Sequence, residues 1–81
     1  IYYKFEENGF TLNIKIFNSK GILTRNLLHN NLVADEGNVI WDGRDNNSHR
    51  VEPGIYIVQA EFFDLKGFVK RIKKVVTVAT K

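Results

Sequence analysis

The sequence predicts an all-β protein, an antiparallel β-sandwich of about seven strands. Apolar residues recur with a period of two along most of the chain, and β-branched and aromatic residues fill these runs. Turn-forming residues separate the runs, and no segment has the period of a helix. The 81 residues are enough for one small domain, so residues 1–81 are predicted to form a single unit.

Two segments show the alternation of a strand with one buried face, Thr11–Phe17 and Ile55–Phe63. Polar residues between the apolar ones, such as Gln59 and Glu61, mark the solvent-facing side of these strands. The residues expected in the core are Leu12, Ile14, Ile16, Tyr56, Val58, Ala60 and Phe62.

Further strands are predicted at Ile1–Phe5, Ile22–Leu28, Asn38–Trp41 and Phe68–Ala79. In the last of these, the alternation fails between Ile72 and Val75, which predicts a β-bulge or a change of sheet near Lys73 and Lys74. Such a kink would turn the lysines outward. The residues of this strand expected in the core are Phe68, Ile72, Val75, Val76 and Val78.

Two turns share one chemistry, Asn18 to Gly21 and Asp64 to Gly67. Each has Asn or Asp first and Gly fourth, after an aromatic strand end. The Asx side chain can accept a backbone hydrogen bond, and Gly supplies the positive φ of a type I turn with a bulge. Both are predicted to be tight hairpins. The polar stretches 28–39 and 41–55 remain as candidate functional loops, because binding residues usually lie on loops.

The most specific string runs from Val39 to Tyr56. Trp41 alternates in phase with Val39 and is expected in the core, and Asp42 and Gly43 turn the chain. A second turn precedes the next strand. The residues of this string to which we assign a structural role are Trp41, Gly43, Pro53, Gly54 and Tyr56.

This arrangement resembles the immunoglobulin-like domain of the flagellar hook-capping protein. It is also similar to the C-terminal sandwich domains of exported Bacteroidetes proteins, many of which are sorting domains for type IX secretion. The hairpin before the string and the lysine-rich last strand match the same families, so the resemblance covers about Leu12 to Lys81. Ser48 stands where these families commonly have glycine, and the chain shows no Asn-Pro opening of the kind many sorting domains have.

The resemblance implies an immunoglobulin-like antiparallel β-sandwich, a non-catalytic C-terminal module of a larger exported protein that acts in type IX secretion sorting or in cell-surface anchoring. Its location would be the cell surface, the outer membrane or the extracellular space. Its partners would be proteins, either the export machinery or neighbouring domains. The alternative within the same fold is a structural or adhesive spacer module.

A third possibility is ligand binding by the loop from Asp42 to Pro53. Asp42, Asp45 and Asn47 place three oxygen donors within six residues, which could coordinate calcium if backbone carbonyls completed the shell. The same side chains could instead cap their own turns. The loop is also the candidate site for a carbohydrate. No other cofactor is predicted.

Catalysis is not predicted. The chain has no cysteine, and Ser19 and Ser48 lie in predicted turns rather than beside an activating base. His29 and His49 are far apart in the sequence and lack neighbouring metal ligands. No apolar run is long enough to span a membrane.

The last predicted strand is basic. Lys70, Arg71, Lys73 and Lys74 lie close together, and no acidic residue follows Asp64. Recognition by a secretion machine, attraction to an acidic surface and protection of an edge strand are all compatible with this stripe. Nucleic acid is not predicted as a partner, because the apolar residues between the lysines are expected in the core and so do not offer bases a stacking surface.

Overall fold

A computed structural model describes residues 2–4, 9–33, 36–64 and 66–79, and for residues 2–4 it describes the backbone. Within these ranges all regular structure is β, and none of these residues form a helix that could cross a membrane. The strands are β1 (Tyr2–Lys4), β2 (Phe10–Asn18), β3 (Leu23–Val33), β4 (Glu36–Asn38), β5 (Gly54–Phe63) and β6 (Val69–Val78).

The main sheet has four antiparallel strands in the order β3-β2-β5-β6, and β1 pairs with β4 in a separate two-stranded sheet. The all-β prediction is therefore confirmed. A sandwich of seven strands is not confirmed, since the described residues form one large sheet and one small one. The predicted strand at Ile1–Phe5 corresponds to β1, and its end residues Ile1 and Phe5 lie outside the described residues.

The core lies on one face of the two central strands, β2 and β5. Its buried residues are those that the alternation predicted: Leu12, Ile14, Ile16, Tyr56, Val58 and Phe62. Ala60 is half-buried on the same face. On the opposite face Gln59 and Glu61 are half-buried rather than fully solvated, because side chains of neighbouring strands lie beside them. A central strand has a neighbouring strand on each side, so the side chains on both of its faces are partly shielded from solvent.

Both predicted hairpin turns are confirmed. The side-chain oxygen of Asn18 accepts hydrogen bonds from the N–H groups of Lys20 (2.9 Å) and Ile22 (3.0 Å). Asp64 does the same for the N–H groups two and four residues on, at 2.9 and 3.0 Å. Gly21 has a φ of +79° and Gly67 a φ of +89°, the left-handed region that glycine enters without strain. Leu65, within the second turn, lies outside the described residues.

The predicted loop 28–39 is largely wrong. Strand β3 continues to Val33, and β4 occupies Glu36–Asn38, while Asp35 lies outside the described residues. The pairing of β2 with β3 shifts register beside Asn30, whose φ is +50°. The Asn30 N–H donates to the side-chain oxygen of Asn13 at 2.7 Å. A bulge stabilised by Asn side chains thus replaces the expected loop.

The predicted strand Asn38–Trp41 is also wrong, because β4 ends at Asn38. Val39 and Trp41 follow the end of β4 and pack their side chains against the core cluster. Alternation in this segment reflected burial of every second residue outside a strand.

The predictions for the last strand are wrong in two respects. Strand β6 pairs with β5 from Gly54↔Val78 to Phe63↔Val69 without a register shift, so there is no bulge near Lys73 and Lys74. Because the strand is straight, Ile72 and Val75 lie on opposite faces, and they are 37% and 69% exposed. Phe68 is also exposed, whereas Val76 and Val78 are half-buried against the core, as expected.

Candidate functional site

The loop between Trp41 and Pro53 is folded into a small hairpin. Arg44 and Arg50 form a β-bridge, and the N–H of Val51 donates to the carbonyl of Gly43 at 2.9 Å. Asp45 N–H donates to the His49 carbonyl at 2.8 Å. The candidate ligand loop is therefore ordered by its own backbone hydrogen bonds.

A third Asx turn closes this hairpin. The Asp45 carboxylate accepts hydrogen bonds from the N–H groups of Asn47 (2.9 Å) and His49 (3.0 Å), as Asn18 and Asp64 do in their turns. Ser48 has a φ of +64° and occupies the position that Gly21 and Gly67 occupy there. The sequence analysis did not identify this turn because it looked for glycine at the fourth position, where this turn has Ser48. The Asp at the first position was the signal that could have revealed it.

Replacing Ser48 with glycine should stabilise the protein by about 0.5 kcal/mol. A left-handed conformation costs a residue with a Cβ about 1 kcal/mol, and the greater freedom of glycine in the unfolded chain returns roughly half of that. Urea denaturation measures the change, with Gly21→Ser as the matched variant that should lose stability. A less stable Ser48→Gly protein would show that the serine side chain contributes to the loop.

The three candidate calcium ligands take part in the hydrogen bonds and ion pairs of the loop. Asp42 accepts the Arg44 N–H at 3.1 Å, and its carboxylate lies 3.9 Å from Arg25 and 4.0 Å from the Arg44 side chain. Asp45 binds two N–H groups, and Asn47 contributes its backbone N–H. Within the ranges that the structure describes, no three His, Cys, Asp or Glu residues are grouped as metal ligands.

The pKa of Asp45 is lowered from its usual value. The hydrogen bond from the His49 N–H is the main cause, and the bond from Asn47 and the positive charge of Arg25 add to it, while partial burial opposes the shift. The carboxylate is thus held in its charged form by the turn that it caps.

The loop docks on the open edge of β3. The Asn46 N–H donates to the carbonyl of Thr24 at 3.2 Å, and the Asn26 N–H donates to the Asn46 side-chain oxygen at 2.9 Å. Arg25 donates to the carbonyls of Arg44 (3.3 Å) and Asp45 (3.2 Å). The side chain and backbone of Asn46 therefore form hydrogen bonds with backbone groups of β3 that would otherwise face solvent.

Trp41 and Tyr56 join the loop to the core. Their rings meet edge to face with centroids 5.5 Å apart, and the Trp41 Nε1–H donates to the Arg44 carbonyl at 2.9 Å. The Tyr56 hydroxyl donates to the carbonyl of Glu52 at 2.6 Å. Pro53 and Gly54 lie between these partners, where β5 begins.

The four basic residues predicted as an interaction site all lie on β6 and are exposed. In the register with β5, Lys70 and Lys74 lie opposite Phe62 and Val58, on the face that carries the core. Arg71 and Lys73 lie on the other face, where Arg71 forms an ion pair with Glu61. The stripe therefore presents positive charge on both faces of the strand.

The histidines and serines considered for chemistry lie in three separate places. Ser19 is in the first hairpin turn, and His29 is in the bulged region of β3 beside Asn30. Ser48 and His49 are neighbours in the Asp45 turn, where their backbone N–H groups bond to Asp45.

Fold and site together define an all-β protein whose four-stranded antiparallel sheet carries a docked hairpin loop on one edge and a basic strand at the other. In comparisons with known proteins, no family model, no curated protein and no solved structure matches the chain.

Proposed function

We propose that this chain is a non-catalytic β-sandwich module of immunoglobulin-like type, carried by an exported bacterial protein. In this proposal, type IX sorting or surface-anchoring machinery recognises the module through the basic residues of β6. The observation that carries the proposal is the exposure of four cations on an edge strand without a single acidic residue. The resemblance of the segment from Val39 to Tyr56 supplies the link to export.

The corner before β5 supports the immunoglobulin-like part of the proposal. In such sandwiches a tyrosine near the start of a strand donates its hydroxyl to the backbone a few residues upstream, and a tryptophan packs in the core. Tyr56 is the third residue of β5 and donates to the carbonyl of Glu52, four residues upstream. Trp41 packs on its ring. These contacts are those expected of a tyrosine corner.

The arrangement of β6 favours a protein as the partner over a nucleic acid. Its basic residues are divided between two faces of the strand, so they do not form the single groove that would follow a phosphate backbone. Phe68 is the exposed aromatic residue next to them, and its ring packs edge to face on Phe10 with centroids 5.9 Å apart. It therefore offers bases a poor stacking surface.

Export of a reporter tests the proposal. The chain is fused to the C-terminus of a reporter with its own signal peptide and expressed in a bacterium with type IX secretion. In the variant Lys73→Glu/Lys74→Glu, surface-exposed reporter should fall by about tenfold, because two attractive charges become repulsive. Arg71 is left unchanged because it pairs with Glu61.

The matched control is Lys20→Glu/Lys66→Glu, which makes the same charge change in the two hairpin turns. It should export like the unmodified fusion, and thermal melting should show both variants folded. Equal export of the β6 variant and the control would contradict recognition through β6.

A structural or adhesive spacer is the second candidate function, and one observation favours it. On the face opposite the core, Leu23, Phe17, Ile57 and Val75 lie in register across all four strands of the main sheet. Leu23 and Val75 are 42% and 69% exposed, so an adjoining domain could cover this row. A module that only spaces would export its reporter no better than the reporter alone.

A further inference from the structure

The two edge strands of the main sheet differ in how well they are protected against addition of a further strand. The edge strand β3 has three register shifts against β2, and the loop residue Asn46 covers the backbone of Thr24 and Asn26. Bulges and covering loops are two devices that prevent strands of any charge from adding to a sheet. The β3 edge is thus covered at Thr24 and Asn26 and irregular along the rest of the strand.

The edge strand β6 has neither device. Its pairing with β5 extends over ten residue pairs without a shift, and no described strand lies beyond it. The residues from Val69 to Val75 are all exposed. Such a strand directs about half of its backbone N–H and C=O groups outward, in a straight row roughly 33 Å long. This geometry can receive an additional strand.

Charge decides which strand could be added. The four cations of β6 exceed the formal net charge of the whole chain, which is +3. Among the described residues, Arg71 has a carboxylate partner, whereas Lys70, Lys73 and Lys74 have none. A second copy of β6 would bring like charges together and be repelled, whereas an acidic segment would be attracted.

We propose that β6 is the docking edge for an extended, acidic segment of a partner protein, which adds to the main sheet as a fifth strand. This inference rests on the proposed role of β6 as the recognised strand and specifies how recognition occurs. The side chains of the added strand alternate between the two faces, so its carboxylates can meet lysines on either face. Backbone pairing supplies affinity and the lysines supply selectivity.

The core face of β6 also indicates where an apolar side chain of the segment would lie. Ile72 lies between Lys70 and Lys74 on this face and is 37% exposed, and Val76 continues the face toward the core. An apolar residue opposite Ile72 would bury the exposed part of its side chain. The expected segment therefore carries acidic residues opposite Lys70, Arg71, Lys73 and Lys74 and an apolar residue opposite Ile72.

Peptide binding provides the test. The probe is a fluorescent peptide of roughly ten residues, matching the length of the edge, with Glu-Glu-Val-Glu-Glu at its centre and Val elsewhere. In either strand direction this order places Glu opposite the four cations and Val opposite Ile72. Its affinity for Lys73→Glu/Lys74→Glu should be lower by about tenfold, and that for the control Lys20→Glu/Lys66→Glu by less than about threefold. On binding, backbone amides of β6 should gain protection from hydrogen exchange, and those of β3 should not.

Two further probes separate strand addition from general attraction. The same peptide with N-methyl groups on each of its five central residues cannot donate backbone hydrogen bonds from either side, so it should bind at least about tenfold more weakly. Equal binding of the methylated peptide, or tighter binding of a single-stranded oligonucleotide, would overturn the proposal. Peptide binding at β6 together with unimpaired export of the β6 variant would refute the sorting role and leave the docking edge standing.

Discussion

Replacing Ile14 with alanine should lower the free energy of unfolding by about 4 kcal/mol, a large part of the stability of a domain of this size. Ile14 is 0% exposed at the centre of β2, between Leu28 of β3 and Ala60 of β5. Because strand pairing holds both neighbours in place, and the alanine opposite is small, the cavity cannot close.

The matched control is Ile55→Ala on the outer face of β5. Ile55 is 55% exposed, so the same chemical change should cost about 0.5 kcal/mol. Chemical denaturation followed by circular dichroism measures both. If Ile14→Ala does not fold, Ile14→Val provides a milder deletion that should cost about 1 kcal/mol. Equal costs at the two sites would mean that the core face is assigned to the wrong side.

Strands β2 and β5 could be predicted from the sequence because their two faces differ in burial, just as alternate residues of the sequence differ in polarity. Each of β2 and β5 has a strand on both sides, one apolar face buried in the core and an opposite face that carries the polar residues of the strand. Period-two alternation then reports burial directly, and the core residues of both strands are confirmed. The two glycine-containing hairpins were predictable for a similar reason, since their chemistry is local.

Strand β6 could not be predicted in the same way, because an edge position weakens the relation between apolarity and burial. Val75 is apolar and 69% exposed, while Lys70 and Lys74 lie on the core face. Inward-pointing charges at an edge oppose pairing with apolar or like-charged strands, and they leave the edge open to an acidic one. The sequence placed the basic residues on the correct strand, but their division between two faces depends on the register with β5.

The loop from Trp41 to Pro53 shows the limit set by long-range contacts. Its docking depends on Asn46 reaching Thr24 and Asn26, and on Arg25 reaching two loop carbonyls, across about 20 positions of sequence. Nothing in the local pattern specifies these partners. The Asp42 and Asp45 carboxylates resembled cation ligands in sequence, and in the structure they accept backbone hydrogen bonds within the loop.

Replacing Trp41 with alanine should cost about 3 kcal/mol, at the lower end for loss of a tryptophan because the ring is half-buried. The change removes the edge-to-face contact with Tyr56 and the hydrogen bond to the Arg44 carbonyl. Both contacts connect the loop to the core. We therefore expect the amides of Asn26 and Asn46 to lose protection from hydrogen exchange in this variant, as the loop leaves the β3 edge.

Trp41→Phe separates the two contributions of the tryptophan. Phenylalanine keeps an aromatic ring against Tyr56 and lacks the Nε1–H donor, so about 1 kcal/mol should be lost. Because Trp41 is the sole tryptophan of the chain, unfolding of both variants is followed by circular dichroism rather than by fluorescence. An alanine variant within about 1 kcal/mol of the unmodified protein, with its loop amides still protected, would show that Arg25 and Asn46 hold the loop in place without the ring.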